Sequence, residues 1–413
     1  MSQPDSSDRT ESPAPRGGYC QALKTGFQET TLRVQEMHQA IAHTSFHVLR
    51  QVPGLGQPVA LTQKAHRLIA DGVYAAIRHS GVGLLSLAAW IEQHAVKPAS
   101  SAAPLASRRA TVLQSAINAA VGDFLASSAN PLAIHMGFYT DGQPLPLAAD
   151  GLRDRLIDPS DRLCVFIHGL GCDEQSWRLY ADTAWDPPGQ DYGQRLHAEL
   201  RYTPLYLRYN TGLPIADNGE QLARLLDLLL AVYPLPVREL VLIGHSMGGL
   251  VARSACEQAA TTPQTWPSLT RMVICLGSPH QGAPLEKLGQ LTTVALGLSS
   301  LVAPLGKIAN ARSAGIKDLR HGLRATGTPP GSPGIAYRLI GASLTQRIDH
   351  PIGQLLGDGL VTLGSATATD LADDVDTVRL GGLHHMELLN TPRVYQHIHD
   401  WLATPEPSAA PEA

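Results

Sequence analysis

The stretch Leu240-Val-Leu-Ile-Gly-His-Ser-Met-Gly-Gly249 decides the reading of this chain. Four apolar residues run into Gly244, a serine stands at position 246, and Gly248 and Gly249 follow. A short apolar run bounded by glycine reads as a buried strand. Leu250, Val251 and Ala252 then continue in a helical pattern. A strand that turns at once into a helix bends sharply at its apex, and small residues two positions before and after the serine make room for the bend. Gly244 and Gly248 occupy those positions. The bend lifts the hydroxyl clear of the sheet edge, where a base and a substrate can reach it. The five-residue pattern alone weighs little, because chance supplies roughly a quarter of a match in a chain this rich in Gly and Ser. The strand before it and the helix after it carry the reading.

The flanking sequence alternates in the same way. Leu163-Cys-Val-Phe-Ile167 is a continuous apolar run ending in His168-Gly169, as a central parallel strand requires. Strands are also predicted at 203–209, 271–276, 335–340 and 375–380, and a strand or hairpin at 133–139 around the Asp141-Gly142 turn. Amphipathic helices are predicted at 218–232 and 391–402. Strands alternating with helices imply a mostly parallel central sheet covered by helices on both faces, an α/β fold. This part spans residues 130–403. Between Gly282 and Gly334 the alternation stops, and an apolar then basic insert (about 283–333) reads as a helical lid over the pocket.

Residues 19–129 form an N-terminal extension of helical pattern, with helices at 21–50, 58–96 and 111–126 and a linker at 97–107. Residues 1–18 and 404–413 are polar and Pro-, Ser- or Ala-rich, the composition of disordered tails. The run Val73–Ile91 contains Arg78 and His79, so a helix lying on a membrane surface or packed on the main domain is expected there rather than a spanning one.

Composition narrows the function. The chain has 413 residues, 44% hydrophobic and 16% charged, enough for a sizeable core. A formal charge of −4 and 5% aromatics give no reason to expect nucleic acid. The five cysteines (Cys20, Cys164, Cys172, Cys256, Cys275) show no CxxC and no metal-ligand spacing, and their odd, scattered set suits a reducing compartment. With no basic start or apolar run at the N-terminus, a cytoplasmic protein able to associate with a membrane is expected. No phosphate loop and no His-Glu-x-x-His occurs, and position 174 is Glu where a dinucleotide fingerprint needs Gly. His43 and His47 are one helical turn apart but lack a third ligand. Neither a metal nor a cofactor is assigned.

A serine hydroxyl needs a base in reach, and the base needs a carboxylate to hold its tautomer. In this architecture they follow the serine in the order acid, then histidine. Asp358 leads as the acid, framed by Gly357 and Gly359; Asp349, Asp373, Asp374 and Asp376 are its rivals. His385 leads as the base, ahead of the adjacent His384, and His397 and His399 fall in the terminal helix. The oxyanion hole calls for two backbone N–H groups. Met247, after the nucleophile, supplies one, and Leu170, in His168-Gly169-Leu170-Gly171, the other. His168, Gly169, His245, Ser278 and His280 are placed at the pocket rim.

With these residues in place, the sequence over about 130–403 resembles the lipase and esterase branch of the α/β-hydrolase superfamily. Its motifs are His168-Gly-Leu-Gly171, Gly244-His-Ser-Met-Gly-Gly249, Gly277-Ser-Pro-His-Gln-Gly282, Gly357-Asp-Gly-Leu-Val361 and His385-Met-Glu-Leu-Leu389. The Gly277–Gly282 segment and Asp358-Gly-Leu-Val361 are similar to bacterial triacylglycerol lipases and GPI-inositol-deacylase-like hydrolases. The resemblance implies an α/β-hydrolase fold, Ser246 as nucleophile, Asp358 as acid and His385 as base, acting on a small-molecule or lipid ester. An acyltransferase using the same triad, and a non-catalytic scaffold that keeps the fold, are the alternatives. Peripheral membrane contact is expected through the N-terminal helices or the lid.

Overall fold

A computed structural model describes residues 31, 32, 35, 103–261, 263–283, 313–323, 334–368 and 374–404. The chain divides into two compact units, one of Met1–Ala103 with Asn130–Leu132 and one of Pro104–Ala129 with Ala133–Ala413. The helices expected at 21–50 and 58–96, with His43, His47 and the Val73–Ile91 run, lie outside the described residues apart from helical positions 31, 32 and 35. So do the two tails and lid positions 284–312 and 324–333.

The second unit is built on an eight-stranded sheet. In chain order its strands are β1 (Gly137–Thr140), β2 (Gln143–Pro144), β3 (Arg162–Ile167), β4 (Tyr202–Arg208), β5 (Glu239–His245), β6 (Thr270–Leu276), β7 (Ala336–Ser343) and β8 (Val375–Gly381). Their spatial order is β2-β1-β4-β3-β5-β6-β7-β8. The hairpin β1–β2 and the pair β1–β4 are antiparallel, and every pairing from β4 to β8 is parallel. Parallel neighbours need crossovers. The helices α1 (Ala103–Ser127), α2 (Tyr192–Leu200), α3 (Ile215–Val232), α4 (Met247–Ala259), α5 (Ala314–His321), α6 (Pro351–Leu356), α7 (Leu363–Ala366) and α8 (Pro392–Ala403) accompany the sheet.

The continuous apolar runs of the central strands follow from this layering. Successive side chains of a strand point to opposite faces. In β3, Leu163, Val165 and Ile167 enter one core with Leu222, Leu226 and Leu229 of α3 and Leu250 and Val251 of α4. Cys164 and Phe166 enter the other, with Leu196 of α2 and Val394 and Ile398 of α8. A strand buried on both faces has no position left for a polar residue. This is the architecture of the α/β-hydrolase fold.

Two boundaries differ from the sequence reading. Helix α1 begins at Ala103, inside the segment expected to be a linker at 97–107. Pro104 suggested a break, but a proline in the first helical turn forfeits no hydrogen bond. The same helix belongs with the hydrolase unit rather than with the N-terminal extension. Asn118 Oδ1 accepts from Ile134 N at 3.0 Å, Asn210 Nδ2 donates to Gly122 O at 2.9 Å, and Asp123 Oδ2 accepts from Ala314 N at 3.0 Å. Helix α5, the described helix of the insert, is also seated on this unit, with Asp318 Oδ2 accepting from Ile215 N at 2.8 Å.

Candidate active site

In a parallel sheet all C-terminal strand ends share one edge, and functional groups collect there. Ser246 follows β5, Asp358 follows β7 and His385 follows β8. Loop 168–173 follows β3 at the same edge.

Ser246 has φ 54° and ψ −120°. A β-carbon is disfavoured in that region, at a cost of order 1–3 kcal/mol. The strain is held from both sides: Ser246 N donates to Leu276 O at 2.8 Å, and its own carbonyl accepts from Gly249 N at 3.2 Å. The glycines of the motif answer to close approach. A β-carbon at 244 would overlap the backbone of Gly248 and Gly249, and one at 248 would overlap the Ile167 carbonyl. Helix α4 therefore lies directly on β5 and β3. Met247 is its first residue, and the first N–H groups of a helix find no partner within it.

Asp358 is 2% exposed. Its Oδ1 accepts from Leu360 N at 3.0 Å and Val361 N at 2.8 Å, and its Oδ2 lies 2.7 Å from His385 Nδ1. The carboxylate takes its hydrogen bond from the ring, so Nδ1 carries the hydrogen and Nε2 presents its lone pair. Backbone His385 N also donates to Asp358 O at 3.0 Å. Gly357 (φ 58°) and Gly359 (φ 98°) flank the acid in left-handed conformations, which is why the loop needs both glycines. Ser246 Oγ and His385 Nε2 are both buried and without a hydrogen-bond partner among the described residues.

The rival candidates fall elsewhere. Asp349 is exposed and pairs with Arg347 at 2.9 Å. Asp374 pairs with Arg338 at 2.7 Å, and Asp376 accepts from Trp401 Nε1 at 3.0 Å. Asp373 is outside the described residues. His384 turns outward, 3.6 Å from Glu387, with its ring on the edge of Tyr180. His399 lies near Glu199 and Asp400, and the His397 ring is tilted against Trp401 with centroids 6.2 Å apart.

The residues placed at the pocket rim are buried, as Ser246 and His385 are. His168 is fully buried and stacked on Tyr209, whose hydroxyl donates to His168 O at 2.8 Å. Burial holds the His168 imidazole down to about 4, so it is neutral. His280 Nδ1 accepts from Arg253 Nη1 at 3.0 Å; burial first, then the Arg253 charge, keeps this ring neutral too. Ser278 lies where a β-carbon at Gly249 would have to go. His245 is fully buried against His385. These positions stand at strand ends, so the sequence placed them at the right edge, but Tyr209 packs on His168, helix α4 meets Ser278 and His280, and His385 packs on His245.

The backbone of the loop after β3 is fastened by residues that the sequence reading did not single out. Gly171 N donates to Thr211 Oγ1 at 3.2 Å, and Asp173 caps the short 3-10 turn Glu174–Arg178. Glu174 forms a two-pronged ion pair with Arg208, at 2.5 and 2.6 Å. The Leu170 side chain is fully buried. Tyr209 and Thr211 stand some forty residues downstream, and only their place just after β4 could have pointed to them. Gly277, the first residue of the Gly277–Gly282 motif, adjoins the acid and the base: a β-carbon there would come to 3.2 Å from both Asp358 Oδ2 and His385 Cε1. Among the described residues no group of three or more His, Cys, Asp or Glu could hold a metal ion, and no helix is long and apolar enough to cross a membrane.

Comparison with known proteins agrees with this architecture. Residues 158–305 match the family model described as a PGAP1-like alpha/beta domain. A stretch of 86 residues is 33% identical to a GPI inositol-deacylase of Debaryomyces hansenii, covering 20% of this chain and 8% of that protein's length. A lipase of Bacillus licheniformis in its mature form is similar at 19% identity and a TM-score of 0.44, over 59% of this chain and 93% of that one. The carboxylesterase CesB of Bacillus subtilis is similar at 12% identity and a TM-score of 0.38, over 70% and 98%. The strand order and the bend at Ser246 identify the fold without those superpositions. The chain thus carries an α/β-hydrolase fold, within which residues 158–305 match the PGAP1-like alpha/beta domain family.

Proposed function

We propose that the protein is a serine carboxylic-ester hydrolase. Ser246 Oγ attacks the ester carbonyl carbon while His385 Nε2 takes its proton. The imidazolium so formed is stabilised by Asp358, which holds Nδ1–H throughout. The tetrahedral oxyanion is received by the N–H groups of Leu170 and Met247. It collapses to an acyl-enzyme as His385 returns the proton to the leaving alcohol. Water, deprotonated by the same Nε2, then releases the acid and restores Ser246. The observation that carries this reading is the 2.7 Å contact between His385 Nδ1 and Asp358 Oδ2, which leaves a bare Nε2 in a site that also holds the unpartnered, strained Ser246.

The likeness to a GPI inositol-deacylase supports an acyl group esterified to an alcohol of a larger, lipid-borne head group as the substrate class. Contact with a lipid surface through the N-terminal helices or the lid insert belongs to the same proposal. The test offers p-nitrophenyl esters of short and long acyl chains to the full chain and to Ser246→Ala, with fluorophosphonate labelling in parallel. Turnover and labelling are expected in the first protein. Loss of the serine should lower kcat by about 10⁴- to 10⁶-fold. A Ser246→Ala protein that keeps its activity, or a natural chain that neither turns over esters nor takes the label, would refute the assignment.

A further inference from the structure

His245 fills the variable position of the elbow motif, and the reaction above makes no use of it. It is the last residue of β5 and is wholly buried. Its Nε2 lies 3.1 Å from the backbone carbonyl oxygen of His385. A carbonyl only accepts, so Nε2 carries the hydrogen. The ring packs against the His385 ring, with centroids 4.6 Å apart, and meets Trp177 edge-on. Burial first, then the neighbouring His385, keep the imidazole of His245 well below the ordinary histidine range, and His168 adds in the same direction. His245 is therefore held as a neutral N–H donor toward the His385 carbonyl.

His385 is held at three points. Its backbone N–H reaches Asp358 O at 3.0 Å, its Nδ1 reaches Asp358 Oδ2 at 2.7 Å, and its carbonyl receives His245 Nε2–H at 3.1 Å. The first two tie the base to the loop that bears the acid. The third ties it to the strand that bears the nucleophile. Gly382, at φ 76°, opens the loop just before the base, where a backbone swing would otherwise be cheap. The loop after β3 runs against the same residue: a β-carbon at Gly169 would come to 3.2 Å from His245 Nδ1 and 3.0 Å from Ser246 Cβ. Proton transfer between a nucleophile and its base tolerates little change in reach.

We propose that His245 is a positioning residue, whose Nε2–H pins the His385 backbone to β5 and so sets the reach of the His385 ring to Ser246. The inference rests on the reading of Ser246, His385 and Asp358 as the reacting groups. Two substitutions in the full chain test it. His245→Gln keeps an amide N–H at a comparable reach, and His245→Met fills a similar length without a donor. The Met variant is expected to lose about tenfold to a hundredfold in kcat and in labelling rate, with KM within about twofold, while the Gln variant recovers most of the loss. Equal losses in both, a loss carried by KM, or a fully active Met variant would overturn the role.

A measurement on the unsubstituted protein guards against misfolding of the variants. The ring-nitrogen NMR signals of His245 are expected to report the Nε2–H tautomer, still neutral at a pH where an exposed histidine is already charged. A ring that is protonated there, or that carries its hydrogen on Nδ1, overturns the proposal. If the natural chain shows neither turnover nor labelling, the assigned reaction fails and this role falls with it. If Ser246→Ala abolishes both and His245→Met changes neither, only the role of His245 falls.

Discussion

At the scale of single residues, the site combines one strained backbone and one short polar contact. Ser246 sits at φ 54° because two hydrogen bonds and the absence of side chains at 244 and 248 let it. Asp358 is satisfied at both oxygens and is almost wholly buried, so its role is to orient the ring. Asp358→Asn should leave the fold intact and lower kcat by about 10⁴-fold, because an amide can donate to Nδ1 and so favour the wrong tautomer. His384→Ala supplies the contrast. Its contact with Glu387 is partly exposed and worth about 1 kcal/mol or less, so ester turnover should barely change. Steady-state rates of the two variants check both expectations. A dead His384→Ala protein together with an active Asp358→Asn protein would exchange the two histidines' roles.

At the scale of elements, the loops at the strand ends depend on conformations that only glycine adopts cheaply. Gly357 ends α6 at φ 58°, and a β-carbon there would overlap the Val361 carbonyl oxygen and approach Thr362 Cα to 2.7 Å. Gly357→Ala should therefore destabilise the protein by about 1–3 kcal/mol and lower kcat, because the displaced loop carries the acid. Urea unfolding and a rate measurement on the same sample test this, and a variant of natural stability would show that the loop relaxes freely. The insert behaves differently from the loops. Its described helix α5 is seated by hydrogen bonds from Ala314 N to Asp123 and from Ile215 N to Asp318.

For the molecule as a whole, the sheet buries both faces and takes several histidines with it. His168 is held at about 4 by burial, against about 6.5 in an unfolded chain. As the pH falls the unfolded chain binds the proton first, so the stability tied to this neutral ring is whole above about pH 6.5 and is lost on the way down to about 4. His245 and His280 are shifted in the same direction, burial again being the main cause. The buried carboxyls of Asp173 and Asp191 are raised by burial and oppose the trend toward its acid end. Urea unfolding should give a lower stability at pH 5 than at pH 7, with His168 alone accounting for about 2 kcal/mol. A stability that is flat or rising over that interval would contradict the burial of these rings. The unit boundary makes a separate prediction. A chain starting at Pro104 keeps α1 and its bonds to Ile134, Asn210 and Ala314 and should melt cooperatively, whereas one starting at Asn130 loses them and should not. Calorimetry of the two chains decides it.

The alternation of strands and helices was legible in the sequence because central strands buried on two faces are apolar along their buried length, as Leu163–Ile167 of β3 and Leu240–Ile243 of β5 are. The bend at Ser246 was legible because only glycines fit where α4 meets the strands, and the acid loop because left-handed backbone leaves a glycine signature at 357 and 359. These are local constraints, and local constraints write themselves into neighbouring residues. The start of α1 was not legible, since a first-turn proline looks like a break and only the bonds from Asn118, Asn210 and Asp123 fix where the helix belongs. The sequence ranked His385 ahead of His384, but only the tertiary structure decides which ring meets the acid. Adjacent residues with the same chemistry differ only in which one meets the carboxylate of Asp358, and that depends on a hydrogen bond spanning 27 residues of chain. The burial of His168, His245 and His280 likewise had to come from the tertiary structure, because whether a histidine at a strand end is a rim or a core residue is set by what packs over it.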